Sequence, residues 1–374
     1  MVRSLKVHPE SLPNVRLALQ RNGYPSQQKF ADDIGPSLST VKSFLNGKPV
    51  DYENFREICE RLGLDWQAIA YLEAPLTQRS EQQIVSALAV SPFVAGPPID
   101  RPCRFFGRDR EIKRCFNLLK RHPLQNIAAI GQRRMGKTSF LRYLAQITTT
   151  PVEQLRPGQK QDWLPQPECY RWIFVDFQDS RMASRERLLG HWLRALGISP
   201  PDGLDLDRFM DLVSDNLHQP TIILLDEIGV GLRRCPELDD EFWDSLRSLA
   251  THQVGGNLAF VLSAPESPLE LARHSGFGSP FFNIFGYVAT LGPLSEIEAR
   301  ELVASSPIPL PEADIEWILS QSQRIPLLLQ ILCRERLFAL ENGETDDRWR
   351  AESLQQIEPF LSLTEGKSYH NNDD

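Results

Sequence analysis

Apolar residues recur at helical spacing up to Glu73, lose their rhythm over the next thirty or so positions, and then alternate between short apolar runs and helical patterns. In the first stretch, Pro13 suits the opening turn of a helix over Leu12 to Arg21, and Ser26 can cap a second helix carrying Phe30, Ala31 and Ile34. Gly35-Pro36 breaks the pattern. Ser37 can then cap a third helix with Leu38, Val41 and Leu45 on one face and Gly47 just past its end. Asp51 and Asp65 stand where caps belong for two more helices, with Phe55, Ile58 and Leu62, then Trp66, Ile69 and Leu72, turned inward. Residues 1–73 therefore read as a small all-α bundle of five helices.

Five prolines between 74 and 102 (Pro75, Pro92, Pro97, Pro98, Pro102) make that stretch a linker, with room for one helix from Glu81 to Ala89. From residue 103 the alternation predicts an α/β domain built on a parallel sheet. Its strands are expected at Asn126 to Ile130, Tyr170 to Phe177, Thr221 to Leu225, Leu258 to Ser263 and Tyr287 to Leu291. The core is expected to run over 103–293 and a helical region over 294–362, leaving 363–374 as a polar, disordered tail.

Composition changes this picture little. The chain has 374 residues, 41% hydrophobic and 24% charged, which suits two or three globular domains. The net charge of -8 excludes nucleic-acid binding driven by bulk charge, so any such contact must be local. Six cysteines without a CxxC pair point to reduced thiols and no zinc site, and the lack of a long apolar run points to a cytoplasmic protein with no membrane partner.

The chemistry sits after the first core strand. In "NIAAIGQRRMGKTSFLRYL", Gly131, Gly136, Lys137 and Thr138 occupy the GxxxxGK[ST] spacing between an apolar strand and an amphipathic helix. The glycines allow the loop of Gln132, Arg133, Arg134 and Met135 to wrap a phosphate with backbone N–H groups, Lys137 reaches the terminal phosphates, and Thr138, followed by Ser139, ligates magnesium. "TIILLDEIG" buries a strand and delivers Asp226 and Glu227 at its C-terminal edge, Asp226 for Mg2+ and Glu227 to orient or deprotonate the attacking water. Ser263 ends the next strand and is a candidate sensor of the γ-phosphate. The catalytic set is thus Lys137, Glu227 and Ser263, with ATP or ADP and Mg2+ as cofactors.

Together these residues resemble the STAND and archaeal-type, Orc-like branch of the AAA+ ATPases, over about Arg104 to Asn342. "FFGRDREI" resembles that family's opening element, which implies adenine contacts at Phe106, Gly107 and Arg108. "GQRRMGKTSFL" is similar to its P-loop, and "LGPLSEIEARELV" to the segment leading into its lid. "SQRIPLLLQILC" occupies the place of its GxPhhLQ helix and implies a nucleotide contact at Pro326, although Arg324-Ile325-Pro326 stands where Gly-His-Pro or Gly-Asn-Pro is usual. The resemblance implies a P-loop NTPase core of sheet order 5-1-4-3-2 and nucleotide-dependent homo-oligomers. Arg233, Arg234, Arg247 and Arg273 are the arginines placed to reach a neighbour's site, and the apolar loop of Phe281, Phe282 and Phe285 reads as core packing or a partner surface.

The N-terminal pattern resembles the lambda-repressor-like helix-turn-helix class, in which the third helix enters the major groove. Its outward set would be Ser37, Ser39, Thr40, Lys42, Ser43 and Asn46, flanked by Gln27 and Lys48. Nine Lys/Arg against nine Asp/Glu up to Glu73 leave the bundle neutral, but Gly35 to Val50 holds two lysines and no acid. DNA is the expected partner, with a protein adaptor or a structural cap as alternatives. The whole reads as an ATP-dependent, slowly hydrolysing regulatory switch with a DNA address. A DNA-targeting or loader ATPase acting on a partner protein, or a nucleotide-binding interaction module without turnover, stands beside it.

Overall fold

The computed structural model describes residues 4–8, 11–24, 26–71 and 92–361, and the chain divides into two units, Met1–Val90 and Ser91–Asp374. Among the described residues no helix is long and apolar enough to cross a membrane.

Among its described residues the first unit holds five helices, α1 (Leu12–Arg21), α2 (Gln27–Ile34), α3 (Leu38–Leu45), α4 (Tyr52–Leu62) and α5 (Trp66–Ile69). Their starts follow from local chemistry. Ser26 accepts the Lys29 N–H, Ser37 that of Thr40 and Asp51 that of Glu53, each satisfying a donor the helix cannot. The unit is not all-α, however. β1 (Ser4–Val7) pairs antiparallel with β2 (Val50–Asp51) on one side and β3 (Ala70–Tyr71) on the other. Strands of two to four residues are too short to show a period of two, but Leu5, Val7 and Val50 are buried by this sheet. The core centres on Val15, Phe30, Val41, Phe44, Phe55 and Ile58, with Phe44 edge-on to Phe55 at 5.0 Å. Phe44 replaces Leu38 in the inward set of α3, since Leu38 is only half-buried.

In the second unit, residues 92–102 correct the linker reading. Phe93 is buried, the Val94 N–H donates to Gln330 Oε1 at 3.0 Å, and the Ile99 N–H donates to Ser139 Oγ at 2.9 Å. Prolines made this segment look solvated, but these contacts hold it against the core as a strap. The helix expected from Glu81 to Ala89 and the tail from 363 lie outside the described residues.

Five strands form one parallel sheet: β4 (Ile127–Ile130), β5 (Arg171–Asp176), β6 (Thr221–Asp226), β7 (Leu258–Ala264) and β8 (Tyr287–Thr290). They lie in the order β5-β6-β7-β4-β8, which counted in chain order from the opposite edge is 5-1-4-3-2. Every residue of β6 and β7 is buried, as continuous apolar runs require of central strands covered on both faces. Around the sheet pack α6 (Asp109–Leu119), α7 (Lys137–Gln146), α8 (Arg185–Ala195), α9 (Leu206–Asn216), α10 (Ile228–Arg234), α11 (Asp240–Ser248) and α12 (Pro268–His274). Phe281, Phe282 and Phe285 are buried, Phe281 against Trp243 and Phe260, Phe282 against Trp243 and Phe285 against Phe281, so this loop is core.

Among the described residues of the C-terminal region four helices follow, α13 (Glu296–Val303), α14 (Glu312–Ser322), α15 (Pro326–Glu341) and α16 (Arg348–Leu361). A capping box of Ser295 and Glu298 starts α13. Asp314, buried, receives Arg336 at 2.8 Å and Arg350 at 2.7 Å, and Trp317 packs edge-on to Trp349 at 5.0 Å, so the last three helices are tied to one another.

Candidate active site

The loop between β4 and α7 is built by backbone conformations that side chains resist. Gly131 sits at φ 156°, where a Cβ would lie 2.3 Å from the Leu291 carbonyl oxygen, and Gly136 at φ 84° opens α7. Lys137 is 6% exposed, and its Nζ donates to the carbonyls of Gly131 at 2.8 Å and Gln132 at 3.1 Å. Burial pushes the Lys137 pKa down, and the nearby carboxylates of Glu227 and Asp226 oppose that shift. The ammonium is thereby held inside the loop with no ion pair among the described residues, the state in which a phosphate oxygen gains most from it.

Across the loop, the end of β6 presents Asp226. It is 2% exposed, and Ser263 Oγ donates to its Oδ1 at 2.5 Å. Burial raises its pKa, hydrogen bonds from Ser263 and Thr138 oppose the rise, and the carboxylates of Glu227 and Asp176 add to it. The same Ser263 Oγ accepts the Glu227 N–H at 3.0 Å, fixing Glu227 at φ 54°, a left-handed conformation disfavoured by about 1 kcal/mol outside glycine. One hydroxyl therefore sets the position of both acids. Lys137, Thr138, Asp226, Glu227 and Ser263 come together as one cluster. Hydroxyl and carboxylate oxygens at this point form a hard donor set of the kind Mg2+ prefers.

Beside the cluster lies a narrow slot whose walls include Phe106, Arg108, Met135, Gly136, Ser139 and Pro326. Gly107 is pressed against Glu298, which a Cβ would approach to 2.7 Å. Arg108, itself at φ 67°, is buried. Its backbone N–H donates to Glu298 Oε1 at 2.6 Å, tying the opening element to α13, and its guanidinium donates to the Gly292 carbonyl ahead of that helix. Gln132, Arg133 and Arg134 are exposed, and the Arg134 guanidinium lies 5.5 Å from the Phe360 ring centroid, joining the loop to α16. At the position where the resemblance leads one to expect glycine, Arg324 adopts φ 58°. Arg233, Arg234 and Arg273 are exposed and Arg247 half-buried.

Sequence reasoning missed three contributors. Arg156 lies 3.8 Å from the Phe106 ring centroid and donates to the Phe105 carbonyl at 2.9 Å. Gln330 lines the slot one turn after Pro326, and Glu298 buttresses Gly107. Arg156 gave no signal, since it lies in an irregular stretch, but the four-residue spacing of Pro326 and Gln330 places both on one helix face.

The α3 residues belong to the other unit. Gln27, Ser37, Ser39, Lys42, Asn46 and Lys48 are exposed, and Thr40 and Ser43 half-buried. Ser37 Oγ lies 2.7 Å from Ser39 Oγ and 2.9 Å from Thr40 Oγ1, so these hydroxyls bond one another.

The fold has solved counterparts. The Walker-type ATPase PABY2304 of Pyrococcus abyssi matches with a TM-score of 0.51 at 19% identity, covering 71% of this chain and 76% of that one. The second unit has the P-loop NTPase fold. Cdc6p of Pyrobaculum aerophilum is similar to this P-loop chain with a TM-score of 0.48 at 17% identity, covering 67% of each chain. The ORC2 protein of Aeropyrum pernix gives 0.47 at 15%, covering 73% of each. No family model and no curated protein matches the P-loop chain.

Proposed function

We propose that this chain is an ATP-binding and ATP-hydrolysing regulatory switch of AAA+/STAND type, whose N-terminal unit supplies a DNA address. The observation that carries the reading is the buried Lys137, bonded to the carbonyls of its own loop and facing the Asp226–Ser263–Glu227 cluster. ATP entering the loop gives Lys137 phosphate oxygens in exchange for those carbonyls. Thr138 and Asp226 would hold Mg2+, which would supply positive charge against the negative phosphates. Glu227 takes a proton from the attacking water as the γ-phosphoryl group leaves ADP, and Ser263 keeps Asp226 and Glu227 in register through the step. Gly131, Gln132, Arg133, Arg134, Met135, Gly136 and Ser139 complete the phosphate cradle, and Phe106, Gly107, Arg108 and Pro326 the base side. ATP-favoured self-association then multiplies weak contacts from Gln27, Ser37, Ser39, Thr40, Lys42, Ser43, Asn46 and Lys48.

ATPase assays with and without duplex DNA test this reading. The switch predicts slow turnover, lost in Lys137→Ala, with DNA changing it little. Strong stimulation by DNA would favour a loader ATPase, and tightly held nucleotide with no turnover an interaction module.

A further inference from the structure

Six segments wall the slot beside the phosphate loop: the strap at Ile99, the stretch 104–108, the end of the phosphate loop with the first turn of α7, the stretch 291–294, Leu302 of α13 and the first turns of α15. Most of the wall is apolar. Two of its polar side chains, Ser139 and Gln330, hold the strap. Ser139 Oγ accepts the Ile99 N–H at 2.9 Å, and Gln330 Oε1 accepts the Val94 N–H at 3.0 Å.

Gln330 is the more informative of the two. It is 6% exposed on the inward face of α15, four residues beyond Pro326. A carboxamide has an oxygen end and an amino end of nearly equal shape, and ordinarily either can face a ligand. A backbone N–H can meet only the oxygen. The Val94 N–H therefore fixes which way round Gln330 stands. No hydrogen bond among the described residues uses its Nε2, that atom is not among the sealed polar atoms without a partner, and Gln330 lines the slot.

Resting on the nucleotide reading above, we infer that Gln330, oriented by the strap, is the specificity-determining residue for the base and selects adenine over guanine. Adenine presents an amino donor beside a ring-nitrogen acceptor, and a carboxamide with one free lone pair and two amide hydrogens matches both. Guanine replaces that amino group with a carbonyl oxygen. Against Gln330 this sets oxygen toward oxygen unless the carboxamide turns over, and turning over breaks the bond to Val94. A polar group placed to pair with one edge rejects the edge that leaves it unpaired.

The test is titration calorimetry of the full chain with ATP, GTP and inorganic tripolyphosphate, each with Mg2+. The wild type is expected to prefer ATP to GTP. Gln330→Leu should weaken ATP about 10-fold, the scale of one buried hydrogen bond, and leave tripolyphosphate unchanged. Val94→Pro removes the orienting N–H but keeps the carboxamide, so GTP should gain affinity while ATP loses little. That opposite movement is something a merely structural role would not produce. Equal losses for ATP and tripolyphosphate, a wild type without base preference, or a ratio unmoved by both substitutions would overturn the inference while leaving phosphate binding in place. A wild type that binds neither ATP nor tripolyphosphate would overturn the nucleotide reading itself.

Discussion

The phosphate loop and the outward face of α3 are both marked by short motifs, yet the fold treats their polar groups in opposite ways. Around the loop, Lys137, Asp226 and Ser263 are buried and bonded to partners that fix their positions. On α3, Ser39, Lys42 and Asn46 are exposed, and the hydroxyls of Ser37, Ser39 and Thr40 satisfy one another. Burying charge is expensive, and on the proposed function a phosphate in the loop would offset that cost. On the exposed face of α3 no such cost arises. A surface of that kind binds through number and placement, which fits a switch whose affinity for DNA depends on assembly.

Substitutions sharpen the contrast. Lys137→Ala should lower ATP affinity about 100-fold in a binding titration, because it removes a desolvated charge from the phosphates. Ser263→Ala should lower kcat about 10-fold or more with KM nearly unchanged, since Asp226 and Glu227 lose their common tether; an unchanged kcat in a steady-state assay would remove Ser263 from the account. On the base side, Glu298→Gln should cost about 1 kcal/mol in denaturant unfolding by weakening the cap of α13 and its hold on Arg108. Burial alone would raise the Glu298 pKa, but bonds accepted from the Ser295 and Arg108 N–H groups outweigh it and the net shift is downward. Its contribution is therefore present above the ordinary glutamate value and lost as pH falls through the depressed one, so the acid limb of the stability curve should be flatter in Glu298→Gln. The smallest effect belongs to α3. Lys42→Glu should leave the melting temperature within error and weaken DNA binding several-fold in ATP, with a shallower salt dependence.

Legibility in the sequence divides along the same line. The loop, the acidic strand and Ser263 could be read because each lies at the C-terminal end of an apolar run, where strand and position are fixed together. The short strands of the first unit could not, because pairs such as Val50–Asp51 carry no period and form only when β1 lies between them. Phe44 was hidden behind an inward set that began one step too early, at Leu38. The strap was masked by its prolines: Pro97 and Pro98 signal a break in regular structure, but neither says whether the extended chain lies in solvent or against a core. Long-range partners such as Gln330 for Val94, or Glu298 for Arg108, depend on tertiary placement that no local pattern encodes. Arg324 shows the converse. Its left-handed φ meets a backbone requirement that glycine meets without strain, so the departure in sequence preserved the turn.

The central claim is that filling the phosphate loop drives assembly and that assembly makes the α3 face a usable DNA contact. Particle mass measured in solution across an ATP titration, with and without duplex DNA, tests it most directly. The account predicts mass that rises with ATP, rises at lower ATP when DNA is present, and stays at the value of one chain in Lys137→Ala. A wild-type mass that does not respond to ATP, or that responds equally in Lys137→Ala, would contradict it.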